Sequence, residues 1–157
     1  LSYPNYRLLY TYQKRSNIGY CVLKINTWVL ETIDSHDVAY YSTNAASSIN
    51  SQSNFEDHCG IDALKSMFAE QVNEKEITIK RVEEGLNKTF ATSPQAEVLI
   101  RSRIPQSAIH EIMFFCEEDV SQYIDFIPIN VKISCLGKPY LWPETEWKHY
   151  NELRKGK

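Results

Sequence analysis

Gln95-Ala96-Glu97-Val98-Leu99-Ile100 sets a carboxylate at the head of a β-branched and aliphatic run. Such a run reads as a short strand, and an acid at its head either caps a sheet edge or does chemistry. No other acidic residue is placed so plainly inside an apparent strand. Arg101-Ser102-Arg103 returns the chain to basic residues, and Ile104-Pro105 brings a proline suited to the first turn of a helix. Glu97 is therefore expected near the mouth of whatever cleft the strand lines.

The rest of the chain reads as short elements around that strand. Tyr6, Leu9 and Tyr10 have helical spacing after Pro4, and the tyrosines there either cover a core edge or stack on a ligand. A largely buried strand is expected at Tyr20–Ile25, then a short helix over Thr27–Glu31 capped by Asn26, then a second strand at Val38–Tyr41. Residues 42–54 are small, polar and uncharged, the composition of a surface connection that could also hold a ligand through hydroxyls and amides. Ile61, Leu64, Phe68 and Val72, with Met67 adjoining, predict one packed helix face. Charged residues from Asn73 to Ser93 break the period and predict a weak helix or a mobile connection. Downstream, the pattern predicts a helix from Pro105 to about Glu111 and a strand over Ile112–Cys116. An acidic helix start at Glu117-Glu118-Asp119 follows, running to Tyr123, and then a last strand at Ile129–Ser134.

Four or five strands with short helices and irregular connections imply an α+β fold with a central, mostly antiparallel sheet, not a doubly wound one. At 157 residues the chain is expected to form one domain over residues 1–143, followed by a charged tail from 144 to 157 that Trp142 and Trp147 anchor and whose end frays.

Composition removes several function classes. A net charge of −3 gives no general attraction to phosphate. Contact with nucleic acid would have to come from local clusters such as Lys14-Arg15, Lys80-Arg81, or Arg101 with Arg103. Cys21, Cys59, Cys116 and Cys135 are widely spaced without a C-x-x-C pair, and no apolar run is long enough to span a bilayer. Reduced thiols, a cytoplasmic location and no membrane association are the expectation, with buried thiols in the predicted strands. Asp34, Ser35 and His36 hold the residue types of a hydrolase triad, but neighbours in one turn do not point at each other as a relay requires. His58 and Cys59 lack a second ligand pair, and His110-Glu111 is followed by Phe114 where a zinc protease needs histidine, so no metal is expected. No glycine-rich dinucleotide fingerprint, P-loop or nucleophile elbow is present.

The order of the pieces resembles the DarT family of DNA ADP-ribosyltransferase toxins. The likeness runs from about Tyr3 to Ser134. It rests on Val22-Leu23-Lys24-Ile25, Asn44-Ala45-Ala46-Ser47-Ser48, the segment from Gln95 to Ile100, and Ile104-Pro105 followed by Ile109 and Ile112. The resemblance implies that Glu97 is the catalytic residue, that NAD is the co-substrate, and that the acceptor is a base in single-stranded DNA, or alternatively RNA. It implies a cofactor-binding role for Leu8, Leu9 and Tyr10 and a substrate-binding role for Tyr3, Asn44 and Arg103. An antitoxin protein is the implied partner. Leu8 stands where the family has methionine, and Arg7 where it has proline. The family's N-terminal histidine and arginine have no counterpart before Tyr3, which leads to the expectation of an N-terminally shortened chain. Arg7, Arg15, Arg101 and Arg103 are the candidate substitutes for that arginine, each with a structural role as the simpler reading. The alternative function is a catalytically impaired relative that binds nucleic acid or a protein partner.

Overall fold

A computed structural model describes residues 20–135 together with Trp147, Tyr150 and Glu152. Along these residues the elements are β1 (Cys21–Ile25), α1 (Val29–Thr32), β2 (Val38–Tyr41), α2 (Gly60–Ser66), β3 (Gln71–Glu74), β4 (Ile77–Lys80), α3 (Arg81–Glu84), β5 (Glu97–Ile100), β6 (Ile109–Phe114), α4 (Glu117–Tyr123) and β7 (Lys132–Cys135). Short helices and small, mostly antiparallel sheets make this the expected α+β class. The described residues fall into two compact units. The first holds 33–102 with Trp147, Tyr150 and Glu152, and the second holds 20–32 and 103–135.

In the first unit every residue of β2 is buried, as a Val-Ala-Tyr-Tyr strand without polar positions should be. It pairs antiparallel with β5 in the register Val38↔Ile100, Ala39↔Leu99, Tyr40↔Val98, Tyr41↔Glu97. Val38, Tyr40, Met67, Ala91 and Ala96 form the core beneath this pair, with Leu64, Val98 and Ile100 packed against it. The helix face expected over Ile61–Val72 holds only in part. The helix closes at Ser66, Ile61 is 62% exposed, and Val72 belongs to β3. Met67 takes the buried place instead, because the chain turns there and its carbonyl accepts the Thr92 N–H at 2.7 Å.

The charged section corrects the expectation of a weak helix or mobile connection: β3 and β4 form an antiparallel hairpin over Gln71–Lys80. Val72, Glu74, Ile77 and Ile79 are buried and alternate with exposed partners, a strict period of two that the charges at Glu74, Lys75 and Glu76 obscure. Lys75 sits in the hairpin turn with φ of 55°, and Gly85 ends α3 with φ of 66°, where a side chain would be strained. Ile77 and Ile79 pack against Trp147 and Tyr150, so Trp147 is an anchor as expected and Tyr150 is a second one.

In the second unit β6 lies between β1, antiparallel to it, and β7, parallel to it. The β6–β7 pair is joined through α4, so one crossover connection exists where none was expected. Pro105 precedes only a 3-10 turn at Gln106–Ala108, and the strand starts at Ile109, not Ile112. β-branched Ile109 and the hydrogen bond from the Asn26 N–H to the Ala108 carbonyl, 2.8 Å, favour extension over helix there. β7 covers Lys132–Cys135, later than the alternation at Ile129–Ser134 suggested. β1 is not the largely buried strand expected. Among the described strands it pairs on one side only, with β6, and Leu23 is 45% exposed and Cys21 exposed.

Two further acids sit inside strands, contrary to the expectation that Glu97 stands alone: Glu74 in β3, 6% exposed, and Glu111 in β6, 5% exposed. The Lys132 ammonium is 3.1 Å and that of Lys24 3.6 Å from the Glu111 carboxylate. The buried Ser134 hydroxyl beside it, which lies outside standard hydrogen-bond geometry, and then Lys132 and Lys24, hold this carboxyl below its ordinary value of 4.5. A depressed acid lends stability that is complete above its unfolded value and lost as pH falls through the folded one. Glu111→Gln is therefore expected to flatten the acid-side decline of the melting temperature below about pH 4.5. Thermal melts of both proteins between pH 7 and pH 3 check this, and parallel curves would remove Glu111 from the acid response.

Candidate active site

Glu97 is the first residue of β5 and faces Tyr41, the last residue of β2, across the ladder. The chain leaving β2 therefore passes beside the Glu97 side chain, and the polar loop folds back onto it. Asn44 Nδ2 donates to Glu97 Oε1 at 3.3 Å, and the Ala45 backbone N–H donates to Oε2 at 2.9 Å. Together these two donors from one loop, one to each oxygen, fix the position and the plane of a half-buried carboxylate.

The loop is itself braced. Asn44 Oδ1 accepts the Ala46 N–H at 2.8 Å, a local Asx turn. Asn50 Nδ2 donates to the Asn44 carbonyl at 2.9 Å and to the buried Thr43 hydroxyl at 3.1 Å. Ser53 donates to the Asn50 carbonyl at 2.7 Å, and its oxygen lies 2.7 Å from His58 Nε2. The His58 ring stacks on Tyr41 with centroids 4.0 Å apart, closing a circuit from Glu97 through the loop and back to the strand. Burial, then the Cys59 thiol, pushes the Tyr41 phenol above its usual range, so it is a neutral ring at physiological pH.

The structure thus brings Glu97 and Asn44 together. Arg103 is exposed and belongs to the second unit. Tyr3, Leu8, Leu9 and Tyr10, the helix after Pro4, Arg7 and Arg15 lie outside the described residues. Arg101 has structural partners: its guanidinium is 2.6 Å from Glu56 and 3.8 Å above the Phe55 ring. The Glu56 backbone amide and Arg101 together hold the Glu56 carboxyl below the usual range. Asp34 accepts the His36 N–H at 2.9 Å and caps a 3-10 turn, so that trio serves as a turn.

Sequence reading missed the Ala45 N–H, because a backbone donor has no residue signature, and it missed Asn50, Ser53, His58 and Tyr41 as a supporting circuit. The one available signal was the amide-rich and hydroxyl-rich composition right after a strand. Among the described residues no group of histidine, cysteine and acidic side chains is placed to hold a metal ion. None of their helices is long and apolar enough to cross a membrane.

A carboxylate at a strand head, oriented by the Asn44 amide and the Ala45 N–H, can hold a hydroxyl and oppose a positive charge that develops on a substrate. Removing the Asn44 side chain leaves one oxygen of that carboxylate without this donor. Hydrogen bonds to charged groups are worth about 1.5–3 kcal/mol. Asn44→Ala is accordingly expected to lower turnover about 10- to 100-fold if Glu97 acts on substrate. Steady-state kinetics of the folded variant measures it, and turnover equal to wild type would show that the donor is dispensable.

No curated protein matches the chain. A sequence model of the family described as ssDNA thymidine ADP-ribosyltransferase, DarT, matches residues 2–139, a span that contains Asn44, the braced loop and Glu97. That span covers most of the chain, and the chain belongs to the DarT family of ADP-ribosyltransferases that act on single-stranded DNA.

Proposed function

We propose that this protein transfers ADP-ribose from NAD to a base of single-stranded DNA, thymidine being the acceptor named for its family, and that Glu97 is the catalytic residue. The single observation that carries the reading is the Glu97 carboxylate held on both oxygens by Asn44 and Ala45 within the matched span. In such a transfer the bond between ribose C1 and nicotinamide breaks and a bond from C1 to a base nitrogen forms. Nicotinamide leaves with the bonding pair, and the proton of the base nitrogen is released. Positive charge develops on the ribose as the first bond lengthens, and an oriented carboxylate beside a ribose hydroxyl opposes it. The same carboxylate can accept the proton of the attacking nitrogen. The neutral amide of Asn44 and the backbone N–H of Ala45 aim Glu97 through uncharged donors.

A cytoplasmic toxin restrained by an antitoxin protein belongs to the same reading. All four cysteines are free thiols, which supports a reducing compartment. The test is incubation of the protein with NAD labelled in the ADP-ribose moiety and single-stranded or duplex oligonucleotides of defined base content. Label is expected on the single strand that contains thymidine. Absence of label on every oligonucleotide would overturn the reading and favour the alternative, a binding protein that keeps the fold.

A further inference from the structure

The connection that delivers Glu97 is tied down residue by residue. Arg81 Nη1 donates to the Phe90 carbonyl at 2.8 Å and to Thr92 Oγ1 at 3.1 Å, and Thr92 Oγ1 donates to the Ala69 carbonyl at 2.5 Å. Trp147 Nε1 donates to the Thr92 carbonyl at 3.0 Å, and its ring stacks on Phe90. Next in the chain, Ser93 donates to Glu74 Oε2 at 3.2 Å and accepts the Gln95 N–H at 3.0 Å. Gln95 Nε2 lies 3.0 Å from Glu74 Oε1 and 2.7 Å from the Tyr150 hydroxyl, which itself donates to Glu74 Oε1 at 2.8 Å. Glu74 and Tyr150 are buried, at 6% and 1% exposure.

A carboxylate buried on the inner face of a hairpin is a poor choice for stability alone, since desolvation offsets much of what its hydrogen bonds contribute. Among the described residues Glu74 accepts from the segment two to four residues before Glu97, through Ser93 and Gln95, and from Tyr150. Trp147 and Tyr150 lie beyond residues 2–139, the span that matches the family.

We propose that Glu74 and Tyr150 are positioning residues for the transferase site: the C-terminal segment clamps Ser93 and Gln95 through the buried Glu74 carboxylate and so fixes where Glu97 stands. The inference rests on the catalytic reading of Glu97 given above. Tyr150 is the informative position, because Tyr150→Phe keeps the ring in its apolar site and deletes only the hydroxyl that bridges Glu74 and Gln95.

The experiment compares full-length wild type with Tyr150→Phe, well below the melting transition of each, by amide hydrogen exchange and by steady-state kinetics. The expected results are exchange roughly tenfold faster over residues 92–98 with β3 and β4 unaltered, and kcat about 10- to 100-fold lower with KM for NAD and oligonucleotide within about twofold. Glu74→Gln, which keeps an acceptor oxygen, is expected to recover part of the kcat that Glu74→Ala loses. A merely structural tie would lower the melting temperature of Tyr150→Phe without this split between kcat and KM. Unchanged exchange over 92–98 overturns the proposal whether or not the protein is active, as does faster exchange with wild-type kcat. Absence of transfer by the wild type overturns the proposed function instead, and the exchange result then decides the clamp.

Discussion

Glu97→Gln is expected to reduce ADP-ribose transfer to single-stranded DNA by about 10²–10⁴-fold, the range that general acid–base and electrostatic groups contribute. The substitution keeps the side chain's shape and removes its charge. A glutamine can offer its oxygen to either Asn44 Nδ2 or the Ala45 N–H, but its NH2 must then face the other donor. At least one hydrogen bond to a charged group is lost at a half-buried site, worth about 1.5–3 kcal/mol, so the fold should persist with a melting temperature several degrees lower. Measuring initial rates alongside thermal melts separates the two effects. A rate loss of less than about tenfold in a folded variant would exclude Glu97 from the chemistry, and a loss that tracked unfolding would assign it a structural role.

Met67→Ala is expected to destabilise the first unit by about 2–5 kcal/mol, the usual range for deleting a buried Leu, Ile or Met side chain. Met67 is 1% exposed and packs among Val38, Tyr40, Ala91 and Ala96, so truncation opens a cavity beneath the β2–β5 pair. Domains of this size have about 5–15 kcal/mol of net stability, so the loss would be a large fraction of the total. Urea denaturation should show a lower midpoint with an unchanged slope. A loss under about 1 kcal/mol would mean that the small residues Ala91 and Ala96 collapse into the space. Because Ala96 precedes Glu97, the same variant should also lose activity in step with its folded fraction.

How much of this was legible depends on the range over which each feature is specified. β2, β5 and α4 were readable, since an unbroken apolar run, a β-branched segment and an acidic first turn are local signals. The hairpin over Gln71–Lys80 has an equally local period of two. It escaped because a buried Glu74 breaks the rule that charges face water, and its donors come from Ser93, Gln95 and Tyr150, far along the chain. The pattern after Pro105 predicts a longer helix than the 3-10 turn found, for the complementary reason: proline permits a helical start but says nothing of the sheet that claims Ile109.

Glu97 shows the division most clearly. A carboxylate at the head of an aliphatic strand, followed by Ile104-Pro105 and preceded by an amide-rich loop, could be read from residue order, and so could the resemblance that made it the catalytic candidate. Which groups hold it could not. Asn44 and Ala45 reach it across 53 and 52 positions of chain only because β2 and β5 pair with Tyr41 opposite Glu97. Shifting that register by one residue would turn the carboxylate to the other face of the sheet. Local periodicity sets which residues lie in strands, whereas the aim of the carboxylate comes from a long-range pairing and from a backbone N–H that every residue except proline carries.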